Sequence, residues 1–286
     1  MKDERAKPEA GKGKNKAKGK RAKAKAREDR DSGERRAWQC GTLLALLVMA
    51  VVVRATPAAA YRPFVSTDAS VAETSELEVE LGYFTLDRAG SGTVYTVPDL
   101  VLNYGVVEDV ELVGEFRLQE QAGEGPQVVD PEISLKTVLK DGALQDKPGA
   151  SVAVETALVL PSTLKGESRF GFEIVGIVSQ QLSSVMYHLN LGGGVDRTES
   201  NPLVIWGLIT ELPLHPQLRF VSEVNGESAE GEAAQNSGLL GFIWQAAASD
   251  IFLDLGVRKG FSHAAADWGV TAGLTFTCSP FTTARR

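Results

Sequence analysis

A chain of 286 residues, 43% hydrophobic with 7% aromatics, has the composition of an ordinary folded protein and allows one or two domains. Its charge is unevenly placed: residues 1–36 carry 15 of the 30 Lys and Arg, whereas the chain after residue 60 has a net charge of −16, which argues against nucleic acid as a partner of the mature protein. Of the two cysteines only Cys278 follows residue 60, so the mature chain has no internal disulfide to form.

Residues 1–36 combine that positive charge with Ala and Gly and almost no apolar content; such a segment cannot bury a core and reads as a disordered basic extension. The uncharged run 41–53, GTLLALLVMAVVV, is short for a membrane span of about 20 residues but suits the apolar stretch of an export signal. Ala58 and Ala60 supply the small residues a signal peptidase requires, which sets the signal peptide at 37–60 and the cut after Ala60, with an uncleaved anchor as the alternative. Residues 61–74, YRPFVSTDASVAET, are polar and unpatterned and read as a periplasmic lead-in.

From Ser75 onward the period is two. Leu77, Val79, Leu81 and Tyr83 alternate with Glu76, Glu78 and Glu80, and Leu112, Phe116 and Leu118 with Glu111, Glu115 and Arg117. Ile133, Leu135 and Leu139 alternate with Glu132, Ser134 and Lys136; Val154 and Leu158 flank the face of Glu155; Phe172 and Ile174 flank Glu173. The rule continues through Tyr187, Leu189 and Leu191 against His188 and Asn190, Leu218, Phe220 and Val224 against Arg219 and Glu223, and Leu253, Leu255 and Val257 against Asp254 and Arg258. Trp268, Val270 and Leu274 close the series against Gly269, Thr271 and Thr275. Three segments, 93–106, 203–214 and 237–248, are less regular; counting them, residues 75–278 hold about twelve strands and 279–286 form a tail.

The connections alternate in character. VVED, KDGALQDKPG, LSS, LHPQ and ASD are tight turns carrying Asp, Pro or Gly, whereas DRAGSGT, AGEGPQ, STLKGES, DRTESN, GESAEGEAAQNS and KGFSHAAAD are mostly longer and more polar. Short turns at one end and longer loops at the other fit an all-β, antiparallel, up-and-down transmembrane barrel with an even number of strands, apolar residues toward lipid and polar ones toward a lumen. A soluble periplasmic β-rich binding or structural protein is the alternative, but its hidden face would carry large apolar residues rather than both signs of charge.

On this reading the lumen-lining candidates are Glu76, Glu78, Glu80, Glu115, Arg117, Lys136, Glu155, Glu173, His188, Arg219, Glu223, Asp254 and Arg258. Glu115 with Arg117, Glu132 with Lys136, Arg219 with Glu223, and Asp254 with Arg258 are expected to neutralise one another, because buried ions need partners. The excess of acids favours cations or neutral solutes over anions. Tyr83, Phe84, Tyr187, Trp206, Trp244 and Trp268 are candidates for the aromatic girdles at the two bilayer interfaces, sheet packing being the alternative.

The segments DPEISLKTVL (130–139), GASVAVETALVLPS (149–162), MYHLNLGGGVDR (186–197) and IFLDLGVRKGFSHAAADWGVTAGLTFTC (251–278) resemble the outer-membrane barrel family of transporters named for the phenol meta-degradation pathway. The likeness spans most of the mature chain through strand pattern and turn character. It implies a channel for small solutes, hydrophobic or aromatic ones among them, inserted into outer-membrane lipid by the barrel-assembly machinery. One departure stands out: where such barrels end on an aromatic residue, Phe276 here is followed by Thr277, Cys278 and SPFTTARR.

Chemistry-bearing motifs are sparse. His188, two residues from Asn190, could serve as the base of a lipid hydrolase beside a serine, though a polar lumen side chain is the simpler reading. His215 and His263 fall in a turn and a loop, no catalytic set is assigned, and no His, Cys or carboxylate cluster has metal-ligand spacing. The acids of GESAEGE lack the pattern of a calcium loop, and LNLGGGVD lacks the Lys and helix of a phosphate loop, so no cofactor is expected.

Overall fold

The computed structural model describes residues 62–279 apart from 91, 122–124, 165–166 and 247–249, and leaves out the side chain of Tyr83. The basic extension 1–36, the signal segment 37–60 with Ala58 and Ala60, and residues 280–286 lie outside the described residues.

Twelve antiparallel strands follow one another: β1 (Leu77–Ala89), β2 (Gly92–Val107), β3 (Val110–Gln121), β4 (Gln127–Lys140), β5 (Ser151–Val159), β6 (Gly171–Leu182), β7 (Val185–Val195), β8 (Pro202–His215), β9 (Leu218–Ala229), β10 (Gln235–Gln245), β11 (Ile251–Gly260) and β12 (Trp268–Cys278). Each pairs with its sequence neighbours, and β12 pairs with β1 from Leu77↔Cys278 to Arg88↔Trp268, so the sheet closes and leaves no edge. The expected twelve-stranded up-and-down barrel is the observed one. The tight turns sit at the end where β1 begins and β12 stops; two of them put Asp109 (φ 65°) and Ser183 (φ 57°) in the left-handed region, which lets the chain reverse in two residues.

Period-two patterning explains the two faces. Outward side chains such as Leu139 and Leu191, both 64% exposed, with Leu240, Leu255 and Val257, make an apolar belt that water would penalise at about 25 cal/mol per Å². Inward positions hold Glu78, Glu80, Glu111, Lys136, His188 and Asp254, all buried. The three irregular segments are β2, β8 and β10, and they lack clean alternation because their inward positions, such as Val101, Leu203, Ile209 and Leu239, are themselves partly apolar. In β10, Leu239 and Ile243 face inward and pack with Val221 and Phe252, while Leu240 and Phe242 face outward. A strand apolar on both faces loses the alternation that marks it in a sequence.

At mid-height the strand register shifts in three pairs. Between β1 and β12 it shifts between Gly82 and Phe84, while β1 and β2 keep one register. It jumps from Thr96↔Gln119 to Asp99↔Arg117 between β2 and β3, and from Glu115↔Glu132 to Arg117↔Val129 between β3 and β4. Pro98 and Pro131, which have no N–H to donate, sit inside these jumps.

Residues 62–73, expected as a lead-in, run inside the barrel as a bent strap, with a turn at 62–63 and bends at 65–66 and 69. A twelve-stranded barrel is wider than eight strands whose side chains fill the interior, and narrower than the 16 or more that leave an open aqueous bore. Main chain is a natural filler for that intermediate width.

Candidate functional site

The strap follows the wall round the tight-turn half of the lumen, meeting β12, β9, β7, β6 and β3 in turn. Arg62 donates to Asp99 on β2 at 2.8 Å and to Thr271 on β12 at 2.8 Å, and its Nε lies 3.4 Å from Asp254 on β11. Phe64 packs on the cluster Val221, Leu239, Ile243 and Phe252, and Ala69 packs on Ala153 and Ile177. Close approach of main chain to wall requires small residues there. A Cβ on Gly82 would sit 2.6 Å from Arg62 Nη1, and one on Gly105 would sit 2.5 Å from the Ala72 carbonyl oxygen.

Around the strap, the charged residues pair mostly across strands. Of the four expected pairs only Glu115 with Arg117 forms. Lys136 pairs with Glu111, its direct partner in the β3–β4 register, at 3.6 Å instead of with Glu132. Arg219 reaches Glu211 at 2.9 Å, Glu223 reaches Arg258 at 2.9 Å over Leu239, and Asp254 takes Arg62. Residues four apart on one strand stand about 13 Å from each other, whereas cross-strand neighbours stand about 5 Å apart, so geometry decides against three of the four.

His188 lies directly opposite Ser179, with Nδ1 2.8 Å from the serine Oγ, and its Nε2 is 3.3 Å from Glu211. This is the nucleophile, base and acid order of a hydrolase, yet both Ser179 and His188 are buried and Ser179 Oγ already accepts the Ala69 N–H at 3.0 Å. No reacting carbonyl reaches that oxygen while the strap is in place. The same burial leaves Glu78 Oε1, Glu111 Oε1 and both oxygens of Asp254 without a hydrogen bond among the described residues, a cost concentrated under the strap.

Above the strap, toward the longer loops, the lumen opens into a cavity of about 710 Å³. Its lining carries twelve carboxylates against five cationic side chains, set among valines such as Val101, Val113 and Val175. Of the candidate residues it brings together Glu80, Glu115, Arg117, Lys136, Glu155, Glu173 and Arg258. His188, Arg219, Glu223 and Asp254 lie instead in the packed half with the strap, along with Glu78, and Glu76 precedes β1. Ser134 Oγ donates to Glu155, and Asn103 donates to Glu80 at 2.7 Å.

Loop residues complete the rim. Arg197, buried, donates to Asp130, to Glu167 and to the Leu160 carbonyl at 3.2 Å, tying three loop-end segments together. Asp196 accepts from the Thr198 hydroxyl and from the amides of Thr198, Glu199 and Asn201 at 2.6–2.8 Å. Burial alone would raise its pKa, but these hydrogen bonds outweigh that and hold it at about 2.

Four of the six candidate girdle residues lie toward the ends of the wall: Trp268 begins β12 at the loop end and Trp206 is on the outer half of β8, while Trp244 and Tyr187 are near the tight turns; positions 83 and 84 are central in β1, where Phe84 packs on Tyr95. Alternation missed Arg62, Asp99, Ser179 and Glu211 as site residues. Glu111 and Asn103 carried the same inward signal as the residues that were chosen; Arg62 carried none beyond being a lone base before the first strand.

No protein-family model matches the chain, and no curated protein does. Solved structures do. The COG4313 outer membrane channel from Pseudomonas putida F1 superposes with a TM-score of 0.50 over 73% of this chain and 97% of its own, at 9% identity. The fold is that of an outer-membrane barrel. The outer membrane channel DcaP of Acinetobacter baumannii (TM-score 0.35, 71% of this chain and 94% of its own, 11% identity) and an anion-selective porin from Comamonas acidovorans (0.37, 71% and 98%, 7%) are similar more loosely.

Proposed function

We propose that this barrel is a passive channel of the cell outer membrane for small solutes. The observation that carries the proposal is a closed twelve-stranded wall, apolar outside, around an acidic cavity of about 710 Å³ that opens toward the loops. Twelve carboxylates facing five cations in a confined, low-dielectric space attract cations and repel anions, so the cavity favours cationic or neutral solutes. Its valines, with the resemblance to the phenol-pathway family, add hydrophobic or aromatic compounds to the candidate cargo. The test is the reversal potential of the purified protein in planar bilayers under a KCl gradient: potassium is to carry the larger share, and chloride preference overturns the electrostatic reading.

A second reading, a side route for hydrophobic solutes, is favoured by one observation. The ladder is irregular where β2, β3 and β4 shift register around Pro98 and Pro131, at the level of the cavity residues Asp99 and Glu115. A solute stopped by the strap could leave between strands there, into the membrane.

A further inference from the structure

The strap is held chiefly by its main chain. Val65 and Ser66 donate their N–H groups to Glu223 at 3.1 and 2.8 Å. Asn190 brackets the Thr67 peptide, its Oδ1 accepting the Thr67 N–H at 3.2 Å and its Nδ2 donating to the Thr67 carbonyl at 2.7 Å. Ser179 accepts the Ala69 N–H, Gln145 donates to the Ala69 carbonyl at 2.9 Å, and Glu111 accepts the Ala72 N–H at 2.6 Å. Seven backbone groups in a row of eight residues are thus met by side chains from the strands and from the turn before β5.

Main-chain recognition of this kind does not depend on which side chains the guest carries; selectivity comes from pockets at chosen positions. Two such pockets are built. One takes Arg62 between Asp99, Asp254 and Thr271; the other takes Phe64 against Val221, Leu239, Ile243 and Phe252. The residue order they select is a guanidinium, any residue, then an aromatic, followed by a run of mostly small side chains.

We propose that the lumen is a binding groove for peptides, with the strap as its resident ligand, and that it accepts free peptides of about ten residues that carry an arginine two positions before an aromatic. This goes beyond the channel reading and does not need the barrel to conduct. While tethered, the strap competes at an effective concentration of roughly millimolar, so a free peptide gains access when the tethered copy is weakened.

The test uses the full chain with Arg62→Ala and Phe64→Ala together, in detergent, and the fluorescently labelled peptide RPFVSTDASVA, which reproduces residues 62–72. Fluorescence anisotropy is to show saturable binding at least tenfold tighter than to the unaltered protein, with a scrambled peptide of the same composition at least tenfold weaker. Adding Asn190→Ala, which removes both bonds to the Thr67 position, is to weaken binding about tenfold. No binding, or equal binding of the scrambled peptide, overturns the proposal. If the double variant loses the mobility difference between unboiled and boiled samples that marks a closed barrel, Phe64→Ala alone is titrated in the same way: tighter binding of the native than of the scrambled peptide supports the groove, and its absence overturns it. Conductance plays no part in the readout, so failure of the channel reading and failure of this one are told apart.

Discussion

Glu223→Ala is the substitution that most directly loosens the strap. The Glu223 carboxylate, 2% exposed, accepts the N–H groups of Val65 and Ser66 and pairs with Arg258. The unpaired Arg258, which keeps Asn225 at 3.0 Å and Ser237 at 2.9 Å, is common to the seated and unseated states, so the strap's own loss is the two hydrogen bonds to the carboxylate, each to a charged acceptor and worth about 1.5–3 kcal/mol. About 3 kcal/mol in total corresponds to roughly a hundredfold fall in the ratio of seated to unseated strap. Single-channel recording in planar bilayers checks this: the variant is to spend at least tenfold more time in its high-conductance state, with Glu223→Gln, which keeps an acceptor but loses the charge, in between. A variant that retains its heat-resistant gel mobility yet gates like the unaltered protein would refute the view that this carboxylate anchors the strap.

Gly105→Val introduces a Cβ that collides with the Glu73 carbonyl oxygen and stands 2.5 Å from that of Ala72, so the strap is to be displaced at the tight-turn end and the open-state occupancy is to rise as for Glu223→Ala; unchanged gating would mean the strap does not need that approach. Asp196 has a folded pKa of about 2, below the ordinary carboxylate value of about 3.9, so its hold on the 196–201 loop is complete above pH 4 and is lost as the pH falls through 2. Amide NMR shifts of Thr198 and Asn201 are to titrate with a midpoint near 2, and a midpoint near 4 contradicts the hydrogen-bond account. Cysteines at Thr96 and Gln119, directly opposite each other beside the register shift, are to lower hydrophobic-solute uptake when oxidised while leaving potassium conductance intact; equal loss of both, or of neither, speaks against a side route.

The wall was legible in the sequence wherever one face was oil and the other was charge. Glu78 and Glu80 between Leu77, Val79 and Leu81 announce β1, since a period of two leaves no other way to separate them. β10 was blurred because Leu239, Leu240, Phe242 and Ile243 are apolar on both faces, the inner ones serving as the seat for Phe64. Charge partners were harder to read. Sequence proximity joined Asp254 to Arg258 and Arg219 to Glu223, whereas pairing depends on strand register and on what lies in the lumen, and neither is local. YRPFVSTDASVAET shows no period because a chain gripped through its peptide groups places almost no demand on its side chains.

Arg62 touches β2 on one side and β11 and β12 on the other, which means that one guanidinium spans β1, the strand where the first and last hairpins must meet. Its partners come together only after β12 has found β1. The strap therefore cannot reach its full set of bonds in an open sheet, and seating of Arg62 serves as an internal record that the seam has zipped in the correct register.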